Sequence, residues 1–125
     1  MNPSIESLQA FSDAWNAHDL DRLMSFMADD CIFHAVSGPD MMGRTFRGAK
    51  EVRAGFVAAW KTFPDAAWLD PVHCVCGDRG FTESTFVGTR QDGARVHARM
   101  VDVFTFARNL ILVKNAFRKD RIVAA

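Results

Sequence analysis

Apolar residues in the first half of the chain recur three to four positions apart, which is the period of an α-helix. Over residues 4–17 this spacing places Ile5, Leu8 and Trp15 on one face. Ser4 precedes the first apolar residue and is a suitable N-cap. The pattern therefore predicts an amphipathic first helix.

Two further helices and a strand are predicted before the pattern changes. Asp19 is placed to cap a short second helix that ends at residues 28–30. Residues 31–36 are predicted to form a short strand. A third helix is predicted over residues 49–63, and Pro64 ends it because proline cannot continue a helix.

After Pro64 the apolar residues alternate with polar ones, which is the period of a β-strand. Four strands joined by short turns are predicted over residues 68–76, 81–89, 94–106 and 110–118. The element order predicts an α+β fold, in which three N-terminal helices pack on a curved, mostly antiparallel sheet and form a cone. Residues 1–125 are predicted to form one domain. The open end of such a cone is a natural ligand site.

The third of these strands carries an acidic residue in an apolar row. Asp102 shares one face with Met100, Phe104 and Phe106, because side chains alternate along a strand. Burying a lone carboxylate is costly unless it is paired or protonated. We therefore predict that Asp102 lies at a ligand pocket and acts as a general acid–base. The alternative is a structural carboxylate paired with a basic side chain or a backbone donor.

Large apolar side chains are candidates for the wall of that pocket. Aromatic residues at helical spacing belong to the core more often than to a binding site, but both roles hold for the inner wall of a cone. The loop over residues 37–48 holds two adjacent methionines, which form either a flap over the ligand or a plug at the core edge. The candidate ligand-binding residues are Phe11, Trp15, Met41, Met42, Phe56, Trp60, Trp68, Met100 and Phe104.

The charge balance excludes several classes of partner. Lys and Arg total 15, Asp and Glu total 15, and the net charge of zero gives no electrostatic footprint for nucleic acid or a membrane. No apolar run is long enough for a membrane span, and the first residues do not resemble a secretory signal. We therefore expect a cytoplasmic protein.

No motif predicts a cofactor or a metal. The sequence lacks a glycine-rich nucleotide motif, a P-loop and the spacing of a zinc protease. The odd count of three cysteines argues against a disulfide framework. Cys74 and Cys76 are interpreted as small apolar residues on one strand face rather than as half of a metal site.

Several segments resemble the nuclear transport factor 2-like superfamily, in particular its SnoaL-like and ketosteroid isomerase branches. The segments are F-S-D-A-W-N-A-H-D-L-D-R-L-M-S-F-M-A-D-D-C-I-F-H (11–34), F-R-G-A-K-E-V-R-A-G-F (46–56), V-D-V-F-T-F (101–106) and I-L-V-K-N-A-F-R (111–118). Their order and spacing imply the cone fold. The resemblance also implies a homodimer formed through the outer face of the sheet, where we expect His97 and Arg99. His73 is likewise expected at the sheet surface.

The resemblance assigns candidate roles by position. Ketosteroid isomerases combine an Asp base with an oxyanion hole built from a Tyr and a protonated Asp. Asp102 matches the oxyanion-hole Asp, but the Tyr falls on Phe11 and the base falls on or next to Ala35. The chain has no Tyr at all, which argues against authentic steroid isomerase activity. His34, beside the base position, is either a base near neutral pH or a polar residue at the pocket rim.

An epoxide hydrolase-like role is a further option from the same resemblance. Limonene epoxide hydrolase-like members place an Asp–Arg–Asp set around a water, and the candidates here are Asp102, Arg99 and Asn115. Arg99 has the opposite strand parity to Asp102, and Asn115 can orient a water but cannot deprotonate one. Which alternating set of residues 110–118 faces inward stays open.

The sequence thus predicts a SnoaL-like pocket protein for a small apolar ligand. The first hypothesis is a cofactor-free isomerase or polyketide cyclase that performs acid–base chemistry on an apolar carbonyl compound. Asp102 is then the acid–base, His34 a candidate partner and Asn115 an orienting residue. The alternatives are a non-catalytic hydrophobic-ligand binding module and a dimeric scaffold.

Overall fold

A computed structural model describes residues 3–121 of the chain. The helices of this part are α1 (Ile5–Asn16), α2 (Leu20–Ser25) and α3 (Gly48–Thr62). The strands are β1 (Met27–His34), β2 (Thr45–Arg47), β3 (Ala67–Cys76), β4 (Arg79–Thr89), β5 (Arg95–Ala107) and β6 (Leu110–Arg118). None of the helices in residues 3–121 has the length and apolar character to cross a membrane.

Both predicted helix caps are present. The Ser4 hydroxyl accepts a hydrogen bond from the Ser7 backbone N–H, and the Ser7 side chain accepts one from the Ser4 N–H, which makes a reciprocal capping box. The Asp19 carboxylate accepts a hydrogen bond from the Arg22 N–H at the start of α2. Short polar side chains therefore set the beginnings of α1 and α2, as predicted.

The strands form one mixed sheet in the order β2-β1-β6-β5-β4-β3. Strands β3 to β6 form the predicted antiparallel meander, and β1 runs parallel to β6. The helices pack on the inner face of this sheet, so the predicted α+β cone fold is confirmed.

Two strand boundaries differ from the prediction. Strand β1 begins at Met27 rather than at residue 31, because the Phe26 carbonyl accepts the Ile111 N–H and Met27 pairs with Ile111 of β6. Strand β2 lies inside the segment predicted as a loop, where Thr45–Arg47 pairs with the end of β1. In both places, pairing with a distant strand overrides the local pattern.

The inner face of the sheet and the helices enclose the core. Along β5 the buried side chains alternate as predicted, with Met100, Asp102, Phe104 and Phe106 facing inward. His97 and Arg99 lie on the exposed outer face, as expected.

The prediction for His73 is wrong. Its ring is half-buried between β3 and α1, where Nε2 lies 2.9 Å from Gln9 Oε1 and Nδ1 lies 2.7 Å from Thr82 Oγ1. The alternation of β3 is reversed relative to the prediction because Val72 and Cys74, on either side of His73, are exposed.

Candidate functional site

A cavity of about 380 Å³ opens between α3, the end of β1 and the inner face of the sheet. Aromatic rings form much of its wall, namely Trp15, Phe33, Phe46, Phe63, Trp68 and Phe86. Gly55 of α3 lets one of these rings approach, because a Cβ there would lie 2.9 Å from the Phe46 ring. The volume and the apolar wall are those of a site for a small organic ligand.

A buried lysine forms the polar part of this cavity. Lys114 Nζ lies 2.8 Å from Asp102 Oδ1, and the two side chains are only 6% and 10% exposed. The ammonium also lies 5.1 Å from the ring centre of Trp15, 4.9 Å from that of Phe33 and 5.9 Å from that of Phe56. The carboxylate and the aromatic faces together compensate a charge that would otherwise be costly to bury.

Asp102 lies behind this lysine rather than in the wall of the main cavity. It lines a second cavity of about 20 Å³, together with Ser12, Thr82 and Ser84, which is room for about one water molecule. Lys114 lines both cavities. The sequence left two interpretations of Asp102, a general acid–base and a structural carboxylate. The structure shows the ion pair with a basic side chain that the second interpretation describes.

Five of the predicted ligand-binding residues line one or both of these cavities. Trp15, Trp68 and Met100 line the main cavity. Phe11 and Phe104 line the small cavity next to Asp102, and Trp15 and Trp68 line it as well. The resemblance placed the isomerase Tyr at Phe11 and the base at or next to Ala35; Phe11 lies in the small cavity, whereas Ala35 lines the main one.

Four other candidates lie outside the cavity walls of residues 3–121. Phe56 is fully buried, and its ring packs against Trp15 behind the main cavity. Trp60 is partly buried and stacks on His18. The side chain of Met41 is almost fully exposed and that of Met42 partly so, so neither methionine plugs the core edge.

His34 and Asn115 are neighbours of each other, not of Asp102. They pair across β1 and β6, and His34 Nδ1 lies 2.8 Å from Thr45 Oγ1. Desolvation, and after it the charge of Arg47, lowers the pKa of His34. The residues on either side of His34 line the main cavity, so its own side chain lies on the opposite face of the sheet. The catalytic roles of His34 and Asn115 stay predictions that no contact with Asp102 supports.

Sequence reasoning missed Lys114 because the inward face of β6 was undecided. The register between β5 and β6 shifts at Thr105–Phe106, and beyond this shift Lys114, Ala116 and Arg118 face inward. A bulge reverses the side-chain alternation and leaves no mark in the hydrophobic pattern. The available signal was a lysine after the apolar run of residues 110–113, in a strand next to one that carries a buried acid.

Three arginines also contribute to the cavity wall. Arg44, Arg90 and Arg118 all line the main cavity. The Arg118 guanidinium lies 5.0 Å from the ring centre of Phe86 and 5.6 Å from that of Phe63. Burial, and after it the nearby charge of Arg90, lowers the pKa of Arg118. The described wall of the cavity therefore carries three arginines besides Lys114.

The chain belongs to the SnoaL-like domain family. The model of this family matches residues 8–113, which include the cavity wall from Trp15 to Met100 and Asp102, whereas Lys114 follows the matched range by one residue. That match agrees with the cone fold and with the resemblance seen in the sequence. No curated protein sequence matches the chain.

Solved structures show the same fold at low sequence identity. A protein of Catenulispora acidiphila with a ketosteroid isomerase-like fold, solved with trimethylamine, is 14% identical with a TM-score of 0.78 over 92% of this chain and 86% of its own. A putative polyketide cyclase of Xanthomonas campestris is 17% identical, with a TM-score of 0.77 over 88% and 85%. A second Xanthomonas campestris protein, of unknown function and described as cystatin-like, is 21% identical, with a TM-score of 0.79 over 96% and 92%.

Proposed function

We propose that the protein binds a small, largely apolar carbonyl compound in the main cavity and performs acid–base chemistry on it at Lys114. The observation that carries this proposal is a buried ammonium beside aromatic rings in the wall of the main cavity. A carbonyl oxygen in the cavity can accept a hydrogen bond from Lys114 Nζ, because Nζ has three N–H donors and Asp102 Oδ1 uses one of them.

The chemistry that this arrangement favours is stabilisation of an enolate. The proton on a carbon next to the carbonyl goes to a base from the solvent, such as hydroxide or a buffer anion. The electron pair of the broken C–H bond moves to the oxygen, and the fixed Lys114 ammonium in a water-poor site stabilises the negative charge. A compound with two carbonyls around one carbon already has an acidic C–H. Stabilising the enolate charge therefore supplies most of the lowering of the energy barrier that proton removal needs. The enolate carbon can then regain the proton elsewhere, which is an isomerisation, or attack a second carbonyl, which is an aldol-type cyclisation.

Asp102 is a positioning residue in this scheme. Its carboxylate holds the Lys114 side chain in place through the ion pair inside the cavity wall. The SnoaL-like family and the fold shared with a putative polyketide cyclase support carbonyl compounds as the first ligands to test.

A second candidate function is non-catalytic binding of the same class of ligand. One observation favours it: among residues 3–121, the wall of the main cavity contains no carboxylate, imidazole or thiol that could remove a proton. This candidate needs the cavity and Lys114 as a hydrogen-bond donor, but no turnover.

The two candidates separate in a deuterium exchange experiment. The probe is 2-tetralone, a bicyclic ketone, and the measurement is the loss of its α-hydrogen signals by proton NMR in D₂O. We expect the wild-type protein to accelerate the exchange over buffer, and Lys114→Met to lose on the order of a hundredfold of that acceleration. Lys61→Met, which removes an exposed lysine of α3, is the matched control.

Each outcome assigns the function. Binding of 2-tetralone without acceleration supports the non-catalytic candidate. Acceleration that survives Lys114→Met removes Lys114 from the mechanism. Neither binding nor acceleration with a panel of one- to three-ring ketones contradicts the proposed function.

A further inference from the structure

We infer that the ligand of the main cavity is an elongated aromatic anion, whose carboxylate is bound by Arg118 at the end of the cavity remote from Lys114. This inference rests on the proposed function and adds the charge and length of the ligand. Charge balance, the positions of Lys114 and Arg118 along β6, and the rings around each of them support it.

The cavity wall has an excess of positive charge. Among residues 3–121, the charged side chains of the wall are Lys114 and three arginines, with no Asp or Glu. The charge of Lys114 is balanced by Asp102. The arginine ion pairs of residues 3–121 all involve other arginines, namely Arg53, Arg95, Arg99 and Arg108.

Arg118 is the best placed of the three for an anion. It is half-buried, whereas Arg44 and Arg90 are exposed. Burial and the like charge of Arg90 lower the pKa of Arg118, and together they outweigh the opposite effect of the Asp120 charge. A ligand carboxylate could form two parallel hydrogen bonds to its guanidinium, in a setting where water screens the charge poorly.

The two cationic groups mark two ends of the cavity. Lys114 and Arg118 are four residues apart on the inner face of β6, so their Cα atoms are roughly 13 Å apart at ~3.3 Å per residue. Each also packs against a different set of rings: Lys114 against Trp15, Phe33 and Phe56, and Arg118 against Phe63 and Phe86.

The space between the two ends suits a flat hydrocarbon body. Ala116, the residue between them on the same face, lines the cavity and is small. Indole and phenyl rings line the cavity and offer stacking and edge contacts. A ligand of two or three fused rings could therefore place a carboxylate at Arg118 and a carbonyl or hydroxyl oxygen near Lys114.

Paired probes test the inference. The dissociation constants of anthracene-2-carboxylate and anthracene-2-carboxamide, and of the corresponding naphthalene pair, are measured by fluorescence titration or calorimetry. The acid and the amide of a pair have nearly the same shape and differ in charge. We expect the acid to bind about tenfold more tightly than its amide, with the difference shrinking at high salt.

The variants locate the charge. Arg118→Gln should reduce the ratio of the amide's dissociation constant to the acid's to about one. Arg79→Gln, which removes an exposed arginine of the outer sheet face, should leave this ratio unchanged. If Arg118→Gln fails to fold, the double variant Arg44→Gln with Arg90→Gln, at two exposed positions, should still lower the preference.

The outcomes distinguish this inference from the proposed function. Equal binding of acid and amide, unchanged by the Arg118 and Arg44/Arg90 variants, overturns the anion inference and leaves ligand binding in the cavity intact. An acid preference that Arg79→Gln abolishes places the anion on the outer face and also overturns it. If no member of any pair binds while 2-tetralone does, the inference fails and the proposed function stands; if 2-tetralone and the other ketones also fail to bind, both fail.

Discussion

At the scale of single residues, the buried pair of Lys114 and Asp102 should be strongly coupled. Lys114→Met leaves a buried carboxylate without its ammonium partner, and Asp102→Leu leaves a buried ammonium without its carboxylate partner. We expect each single change to lower the free energy of unfolding by about 3–5 kcal/mol, and the double variant to lose much less than the sum. Urea unfolding of the four proteins measures this coupling.

An ion pair at the protein surface is the matched control for this comparison of single and double variants. Arg53 and Asp21 form an ion pair in which both side chains are largely exposed. Arg53→Met should cost no more than about 1 kcal/mol, because water screens the attraction. Additive and similarly small losses at Lys114 and Asp102 would contradict a compensated pair in a water-poor site.

His73 should make stability depend on pH. Desolvation lowers its pKa from the ordinary value of 6.5, although Asp13 acts in the opposite direction. At this site the unfolded chain then binds a proton more readily than the folded one. The contribution of His73 to the free energy of unfolding is therefore complete above pH 6.5 and is lost as the pH falls through the pKa of the folded state. His34, whose pKa is also lowered, contributes in the same direction.

The His73 contribution is measured by comparing variants. His73→Gln should flatten the fall in unfolding free energy relative to wild type, because the amide does not titrate. The measurement runs from about pH 8 to about pH 5, which is roughly 1.5 pH units on either side of the ordinary histidine pKa. His97→Gln, at an exposed position of the outer sheet face, should reproduce the wild-type curve. An identical slope in His73→Gln would remove His73 from the explanation.

At the scale of elements, strand β6 decides which chemistry faces the cavity. Ala116 lines the main cavity, and Asn115 beside it lies on the opposite face. Ala116→Met should fill the space between Lys114 and Arg118 and weaken binding of anthracene-2-carboxylate by about tenfold or more. Asn115→Met adds a side chain of the same size on the other face and should leave the affinity unchanged. The reverse result would mean that the other face of β6 forms the site.

The same strand shows what could be predicted from the sequence. The existence of each helix and long strand followed from hydrophobic period and caps, and the bounds of β6 were predicted correctly. The inward-facing set of β6 did not follow, because it depends on a register shift opposite Thr105–Phe106. Strand β2 was missed for a similar reason, since only its pairing with β1 makes Thr45–Arg47 a strand. Sequence reasoning therefore found Asp102 but not its partner.

At the scale of the whole molecule, the outer face of the sheet exposes apolar side chains. Phe117 of β6 is 52% exposed, Val72 of β3 is 56% exposed and Phe81 of β4 is 38% exposed. Exposed apolar residues that share one face of a sheet are typical of an interface. We propose that two copies of the chain associate through this face, as the family resemblance predicted.

Sedimentation velocity tests the association. The wild-type protein should sediment as a dimer, and Phe117→Glu should shift it toward the monomer because a charge is costly at an apolar interface. Ile5→Glu, at an exposed apolar position of α1, is the control and should leave the dimer intact. A wild-type monomer at the concentrations used for NMR would contradict the proposal.

The most direct test of the account is a crystal structure of the protein grown with anthracene-2-carboxylate. We predict the rings in the cavity between α3 and the sheet, the carboxylate within hydrogen-bonding distance of Arg118, and the Lys114–Asp102 ion pair retained behind them. Rings in the cavity with the carboxylate turned away from Arg118 would support the binding site and contradict the assigned anion position. A probe bound only on the outer sheet face, with the cavity wall collapsed, would contradict the claim that this cavity is the functional site.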